Sequence, residues 1–134
     1  MSEENVEIVQ RANEHWSEGN LDDAWAELWD PDVVVTAPEG WPEGEGEHGL
    51  EAWRRQAERL RDSWEEARVE VDDIRPVGQD RVVCRLRYVT RGKDPGMSFD
   101  TPMAAAFFLH EGRITRADYF WDFADALEAA GLSE

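Results

Sequence analysis

The chain predicts an α+β fold in which helices come first and cover an antiparallel sheet. Three observations point to it. Large apolar residues first recur at helical spacing: Leu50, Trp53, Ala57, Leu60 and Trp64 step by 3, 4, 3 and 4. From about Val69 the period falls to two, with Val82, Cys84, Leu86 and Tyr88 interleaved with Arg85 and Arg87. Turn signals, Gly78-Gln79-Asp80 and Glu111-Gly112, then divide the alternating part into hairpins. A helical stripe buries one side of a cylinder and a period-two run buries one face of a sheet, so the two parts can cover each other.

Taken in order, Ser2 is expected to cap a first helix whose opening turn carries Glu3 and Glu4, where the helix dipole favours acids. Its buried stripe is Val6, Val9, Ala12 and Trp16, and Gly19 ends it. Asn20 is expected to cap a shorter helix buried through Leu21, Ala24, Trp25 and Leu28, which Asp30-Pro31-Asp32 stops. Val33 to Thr36 reads as a short strand. Ala37 to Gly49 has no period and reads as a loop, long for its place, and such loops are often functional. A third helix is expected from about Leu50 to Glu66. Strands are expected at about Arg68–Val77, Arg81–Arg91, Phe99–His110 and Ile114–Asp122, before a last helix, Phe123–Ala130, capped by Asp122 and ended by Gly131.

The 134 residues read as one domain, 1–134, large enough for a real core. An apolar content of 41% with seven tryptophans argues against disorder. Fourteen basic against thirty-one acidic residues leave a formal charge of −17, which repels nucleic acid and anionic membranes, so neither is an expected partner. Lys93 is the only lysine, a bias without a physical account. One cysteine, Cys84, forms no internal disulfide and sits at an inward strand position, as a small hydrophobe would. With no signal peptide and no membrane-length apolar run, the expected location is cytoplasmic.

Three stretches resemble one family: Glu3-Glu4-Asn5-Val6-Glu7 through Gly19-Asn20-Leu21; Pro38-Glu39-Gly40-Trp41-Pro42 followed by Gly46-Glu47-His48-Gly49; and Glu111-Gly112-Arg113-Ile114 with Ala126-Leu127-Glu128-Ala129-Ala130-Gly131-Leu132. They are similar to SnoaL-like proteins, of the nuclear transport factor 2 (NTF2-like) and ketosteroid isomerase superfamily. The resemblance implies a cone of N-terminal helices packed on a strongly curved, mainly antiparallel sheet, an apolar pocket inside, and a homodimer through the sheet's outer face. It does not fix the activity, because this fold hosts isomerases, cyclases, hydrolases, dehydratases and plain binding subunits. The positions where ketosteroid isomerases carry their base and two oxyanion donors correspond to Ala37, Ala12 and about Ala105, in the run Ala104-Ala105-Ala106 that is expected to open volume. The arginine and aspartate of the family's hydrolases are absent from the same strand region.

Candidate chemistry must therefore come from elsewhere. Alternation on the last strand puts Ile114, Arg116, Asp118 and Phe120 on one face and Thr115, Ala117, Tyr119 and Trp121 on the other. Arg85 and Arg87 suggest that charged faces point away from the helices, so Tyr119 and Trp121 are expected inward. Polyketide cyclases of the resembled family carry an aspartate base on this strand, one position from Asp118, whose plainer role is surface ion pairing unless a β-bulge reverses its side. Tyr119 reads as a pocket hydroxyl or as a core tyrosine bonded to backbone. Glu39 is an acid that burial under a Trp41 lid would turn into a base, or one of an acidic surface loop with Glu43. His48, at the entrance to the third helix, is a candidate acid–base imidazole, or is simply a loop residue.

Trp41, Trp121 and Trp29 lie outside the helical stripes and are free to contact a guest. Trp53, Ala105 and Phe107 are expected in the wall and His15 at the mouth. The histidines have no metal-ligand spacing and no phosphate or dinucleotide loop exists, so no metal or cofactor is expected. Two functions remain open: a cofactor-free acid–base enzyme of isomerase, cyclase or hydrolase type acting on a hydrophobic substrate, or a non-catalytic binder of a small hydrophobic molecule.

Overall fold

The structure is a computed structural model and describes residues 2–41, 46–94 and 96–131, with the side chain of Ser2 left out. The expected Ser2 cap, Glu43 and Leu132 thus lie outside the described residues.

Helix α1, Ser2–Glu18, buries Asn5, Val9, Ala12 and Trp16. It ends in a Schellman motif: Gly19 has φ 80, its N–H donates to the Trp16 carbonyl (3.1 Å), and the Asn20 N–H donates to the His15 carbonyl (2.8 Å). Helix α2 is one turn, Asp23–Ala26, shorter than the stripe suggested, and its cap is Asp22 rather than Asn20. The Asp22 carboxylate accepts from the Trp25 N–H at 3.3 Å. Trp25 and Leu28 are buried as expected, whereas Ala24 is exposed.

Strand β1, Trp29–Thr36, begins earlier than expected and runs through Pro31. Pro31 has no N–H to give to a ladder, and the register between β1 and its neighbour shifts between Trp29 and Val34, where the proline sits. Part of the expected loop is strand β2, Gly46–His48, paired antiparallel with β1. Helix α3, Leu50–Asp62, buries Trp53, Gln56 and Ala57 and stops short of Glu66. Trp64 therefore leaves the helical stripe and meets Phe99 edge-on at 5.7 Å.

Strands β3 (Glu66–Val77), β4 (Arg81–Arg91), β5 (Ser98–His110) and β6 (Arg113–Phe120) complete a six-stranded sheet of order β2-β1-β6-β5-β4-β3. Among the described residues only the β1–β6 pair is parallel, β1 being separated from β6 by the whole meander. The inner face carries Val82, Cys84, Leu86, Met103, Ala105, Phe107 and Ala117 in one core with the helices.

The register of β5 against β6 shifts once: Phe108 faces Arg116 but Leu109 faces Ile114. That bulge at Thr115 corrects one expectation. Ile114 joins the inner core, fully buried, although strict alternation groups it with Asp118. Helix α4, Phe123–Ala129, lies on the opposite, outer face, where Leu127 and Phe123 cover Val83, Ala106 and Phe108. Ala106 therefore faces α4, not the hollow, and the fully buried Ala105 is sealed in the core, so the alanine run does not open the expected volume. Among the described residues no helix is long and apolar enough to cross a membrane.

Two glycines separate backbone strain from steric exclusion. Gly40 (φ 80) has open space where a methyl group would stand, whereas at Gly46 (φ 138) a Cβ would collide with the Val35 carbonyl oxygen across the β1–β2 ladder. Gly40→Ala should cost about 1–2 kcal/mol, the usual left-handed penalty. Gly46→Ala should cost clearly more and unpair β2. Paired denaturant curves with hydrogen exchange at Glu47 and His48 check this, and equal losses would contradict it.

Candidate functional site

Between α1, α3 and the inner face of the sheet lies a pocket that opens to solvent. Its wall is mainly aromatic. Trp25 of α2, Trp29 of β1 and Trp53 of α3 form one cluster, with ring centroids 5.4, 5.6 and 6.5 Å apart. They meet because α2 ends within one turn and hands the chain directly to β1, while α3 crosses above both. Trp16 lines the α1 side, held by its indole N–H on the Ala57 carbonyl at 3.1 Å. Val69, Leu86 and Met103 supply the sheet side.

The mouth is framed by Trp41, whose ring lies 6.2 Å from Tyr88 and 5.9 Å from Trp121. The turn that presents it is closed by the Trp41 N–H on the Pro38 carbonyl at 3.1 Å, with Gly40 at positive φ as a type II turn needs. The Trp121 indole donates to the Glu39 carbonyl at 2.8 Å and ties this turn to the end of β6. Tyr88 reaches across to the Leu60 carbonyl at 3.3 Å.

Of the residues singled out above, Tyr119, Trp41 and Trp53 line the pocket, and so does Trp29. Ala105 and Phe107 lie behind the wall, fully buried or nearly so, with Phe107 edge-on to Tyr119 at 6.0 Å. The expectation that Trp121 faces the hollow is not met: β6 ends at Phe120, alternation lapses, and Trp121 is 42% exposed. Glu39 and His48 are exposed, and neither lines the pocket; His15 lies half-buried outside it. Asp118 sits on the outer face, 8% exposed, accepting from Thr36 Oγ1 at 2.8 Å and from Arg116 Nε at 2.9 Å. Polar residues not singled out for the site that nonetheless line it are Asn13, Thr36, Gln56 and Tyr88. Gln56 carried a signal, a polar side chain one turn from Trp53 and next to Ala57 on a stripe otherwise apolar.

Among the described lining residues there is no carboxylate, imidazole or thiol. Nor do three or more His, Cys, Asp or Glu side chains among the described residues gather as a metal site would need. The titratable group of interest is Tyr119, whose hydroxyl makes no hydrogen bond among the described residues. Burial, reinforced by nearby Cys84, pushes its phenol well above the usual tyrosine range, so it stays a neutral donor. Burial likewise pushes the Cys84 thiol up to about 12.

A SnoaL-like domain model matches residues 9–117, well over half of the chain. The chain belongs to the SnoaL-like domain family. No curated protein matches it. Solved structures that resemble this SnoaL-like chain include Bal32a from a soil-derived mobile gene cassette (19% identity, 88% of each chain covered, TM-score 0.80). A second is a protein of ketosteroid isomerase-like fold from Catenulispora acidiphila, in complex with trimethylamine (21% identity, 94% of this chain and 93% of that one, TM-score 0.73). A third is SalBIII, an epoxide hydrolase/cyclase-like enzyme of pyran ring formation in salinomycin (22% identity, 90% and 92% covered, TM-score 0.73). At these identities the likeness establishes the fold, an NTF2-like one.

The buried phenol and thiol make a pH prediction. Both keep their protons in the folded state, whereas the unfolded chain releases them near their ordinary values of 9.0 for Cys84 and 10.0 for Tyr119. The unfolded state then binds fewer protons, so stability is unaffected below that window and falls as pH rises through it. The double variant Cys84→Ala/Tyr119→Phe should show a shallower alkaline loss of Tm than the parent. Parallel profiles between pH 8 and 11 would contradict the assignment.

Proposed function

We propose that this SnoaL-like chain is a binding protein for a small, flat, mainly apolar molecule, held in the aromatic pocket without general-base chemistry. The observation that carries this reading is the pocket wall: tryptophan and tyrosine rings around a hollow in which no described residue is a base at neutral pH. Rings of this kind offer large contact area and offset-stacking partners to a planar guest. The candidate base Asp118 is spoken for by Thr36 and Arg116 on the far face of the sheet. Glu39 and His48 are solvated. The trimethylamine held by the Catenulispora relative supports use of this fold for small guests.

One observation favours the acid–base enzyme as a second reading. Tyr119 presents a neutral hydroxyl with no hydrogen-bond partner among the described residues, able to donate to an oxygen that gains charge. A donor alone stabilises an enolate but does not form one, and a matching base among the described pocket residues is what this reading lacks.

Calorimetric titration with naphthalene or indole should give saturable one-to-one binding, and Val69→Trp, which fills the hollow from β3, should abolish it. An enolisable ketone such as 2-indanone in heavy water should exchange its α-protons no faster with the protein than with buffer. Saturable acceleration of that exchange would establish the enzyme instead.

A further inference from the structure

The polar side chains around the pocket are not equally placed to meet a guest. Trp16 gives its indole N–H to the Ala57 carbonyl, Tyr88 its hydroxyl to the Leu60 carbonyl, and Thr36 its hydroxyl to Asp118. The indole nitrogens of Trp25, Trp29 and Trp53 are shut in without surface, and so is one end of each amide, Asn13 Nδ2 and Gln56 Oε1. Tyr119 differs from all of these. Its hydroxyl has no hydrogen-bond partner among the described residues, yet it is not one of the buried atoms that lack a partner, so it keeps accessible surface.

That surface belongs to the hollow. Tyr119 lines the pocket from β6 and is only half-buried. Burial is nonetheless the first cause that pushes its phenol above the ordinary range, so the group stands inside the protein. Its neighbours explain why no side chain meets it. Ala105 lies directly opposite on β5, and on β1 Ala37 follows Thr36, just as Tyr119 follows its partner Asp118 on β6. Both offer only methyl groups. Phe107, edge-on at 6.0 Å, is equally apolar.

A phenol has one proton to give and two lone pairs. A guest that fills the hollow displaces any water on this hydroxyl, and it must then supply an acceptor or leave the proton unpaired. A carboxylate would accept, but no lysine, arginine or histidine lines the pocket among the described residues, and the chain carries −17. An anion there would lose its hydration with no opposite charge to offset the loss. An ammonium has no lone pair to offer.

We infer that Tyr119 is the residue by which this pocket selects its ligand, its hydroxyl donating to an uncharged carbonyl or ether oxygen on an otherwise apolar molecule. This rests on the reading of the pocket as a small-molecule site and deepens it by naming the ligand's polar end and the group that reads it. A ligand of equal shape without the oxygen leaves the hydroxyl unpaired, and the protein discriminates against it for that reason.

The test compares three probes of one shape: acetophenone, α-methylstyrene, in which a methylene replaces the oxygen, and benzoate. Calorimetry on the intact chain gives the ketone-to-alkene affinity ratio, which should fall about tenfold in Tyr119→Phe, the scale of one hydrogen bond left unmade. Benzoate should bind the wild-type protein more weakly than acetophenone. The infrared carbonyl band of acetophenone bound to the wild-type protein adds a readout that needs no variant. It should lie below its frequency in hexane, as a hydrogen-bonded carbonyl does, and return toward that frequency in Tyr119→Phe. An unchanged affinity ratio, or a wild-type band at the hexane position, overturns the role of Tyr119 and leaves the apolar pocket standing. Benzoate binding tightest overturns the uncharged class. Binding of none of the three overturns the pocket reading and this inference with it.

Discussion

One guanidinium joins the parts of this fold that would otherwise enclose nothing. Arg61, near the end of α3, donates through Nη1 to the carbonyls of Trp16, Ser17 and Ala67 at 2.6, 3.1 and 2.9 Å. Two of those carbonyls are in the last turn of α1, where intrahelical partners run out, and the third is on β3. The same side chain lies 5.4 Å from the Trp16 ring centre. The two long helices are thus fastened to each other and to β3 through Arg61 and the Trp16–Ala57 bond, and residues of both line the hollow. Removing the guanidinium would take this donor from three carbonyls in a half-buried place, the Trp16 carbonyl keeping the Gly19 N–H, a loss no apolar replacement makes good. Gly19 stands against that guanidinium, its missing Cβ leaving 3.3 Å to an Arg61 nitrogen, so the helix stop and the fastening are one design.

The general plan was legible because it rests on period. The α3 stripe as far as Leu60 and the β4 alternation place their residues correctly, since burial of a face demands regular spacing whatever the details. Legibility fails wherever spacing is interrupted by one residue. Thr115 is the extra residue that turns Ile114 inward, and nothing in the local composition marks it as a bulge. Extending the alternation one step past the end of β6 misplaces Trp121, because the chain already turns there toward Asp122 and α4. Strand β2 is hidden in a stretch of glycine and glutamate because its three residues gain their place from pairing with β1 rather than from propensity. Asn20 and Asp22 are both good caps, and the choice between them depends on where Gly19 releases the chain.

The candidate site was less legible for a different reason. Searching for chemistry selects charged side chains, and charged side chains are those that hydration holds out of an apolar hollow. Glu39 and His48 follow that rule. Asp118 is the informative case: it is buried on the outer face, where it accepts from Thr36 and Arg116 and so ties the parallel β1–β6 pair together. What enters the pocket instead is polar but uncharged. Asn13, Gln56 and Tyr119 carry hydrogen-bonding capacity at a fraction of the desolvation cost of an ion. Residues of this class read as core in any pattern based on hydropathy, and the helix-stripe tryptophans do so too.

The alanines complete the physical picture of what this member of the SnoaL-like family has become. Ala12 and Ala37, which correspond by resemblance to positions carrying a donor and a base in ketosteroid isomerases, do line the hollow, and there they offer only methyl groups. Small residues at those places would leave a wide cavity if the rest of the wall were ordinary aliphatic chains. The volume is taken instead by indoles, which fill space from the α2–β1 junction and from α3 and bring a donor each. The polar side chains of the wall stand at other places than those alanines, at Asn13 of α1, Gln56 of α3 and Tyr119 of β6. The two amides do not titrate and burial keeps the Tyr119 phenol neutral, so the polarity these three give the wall is the same across the neutral pH range.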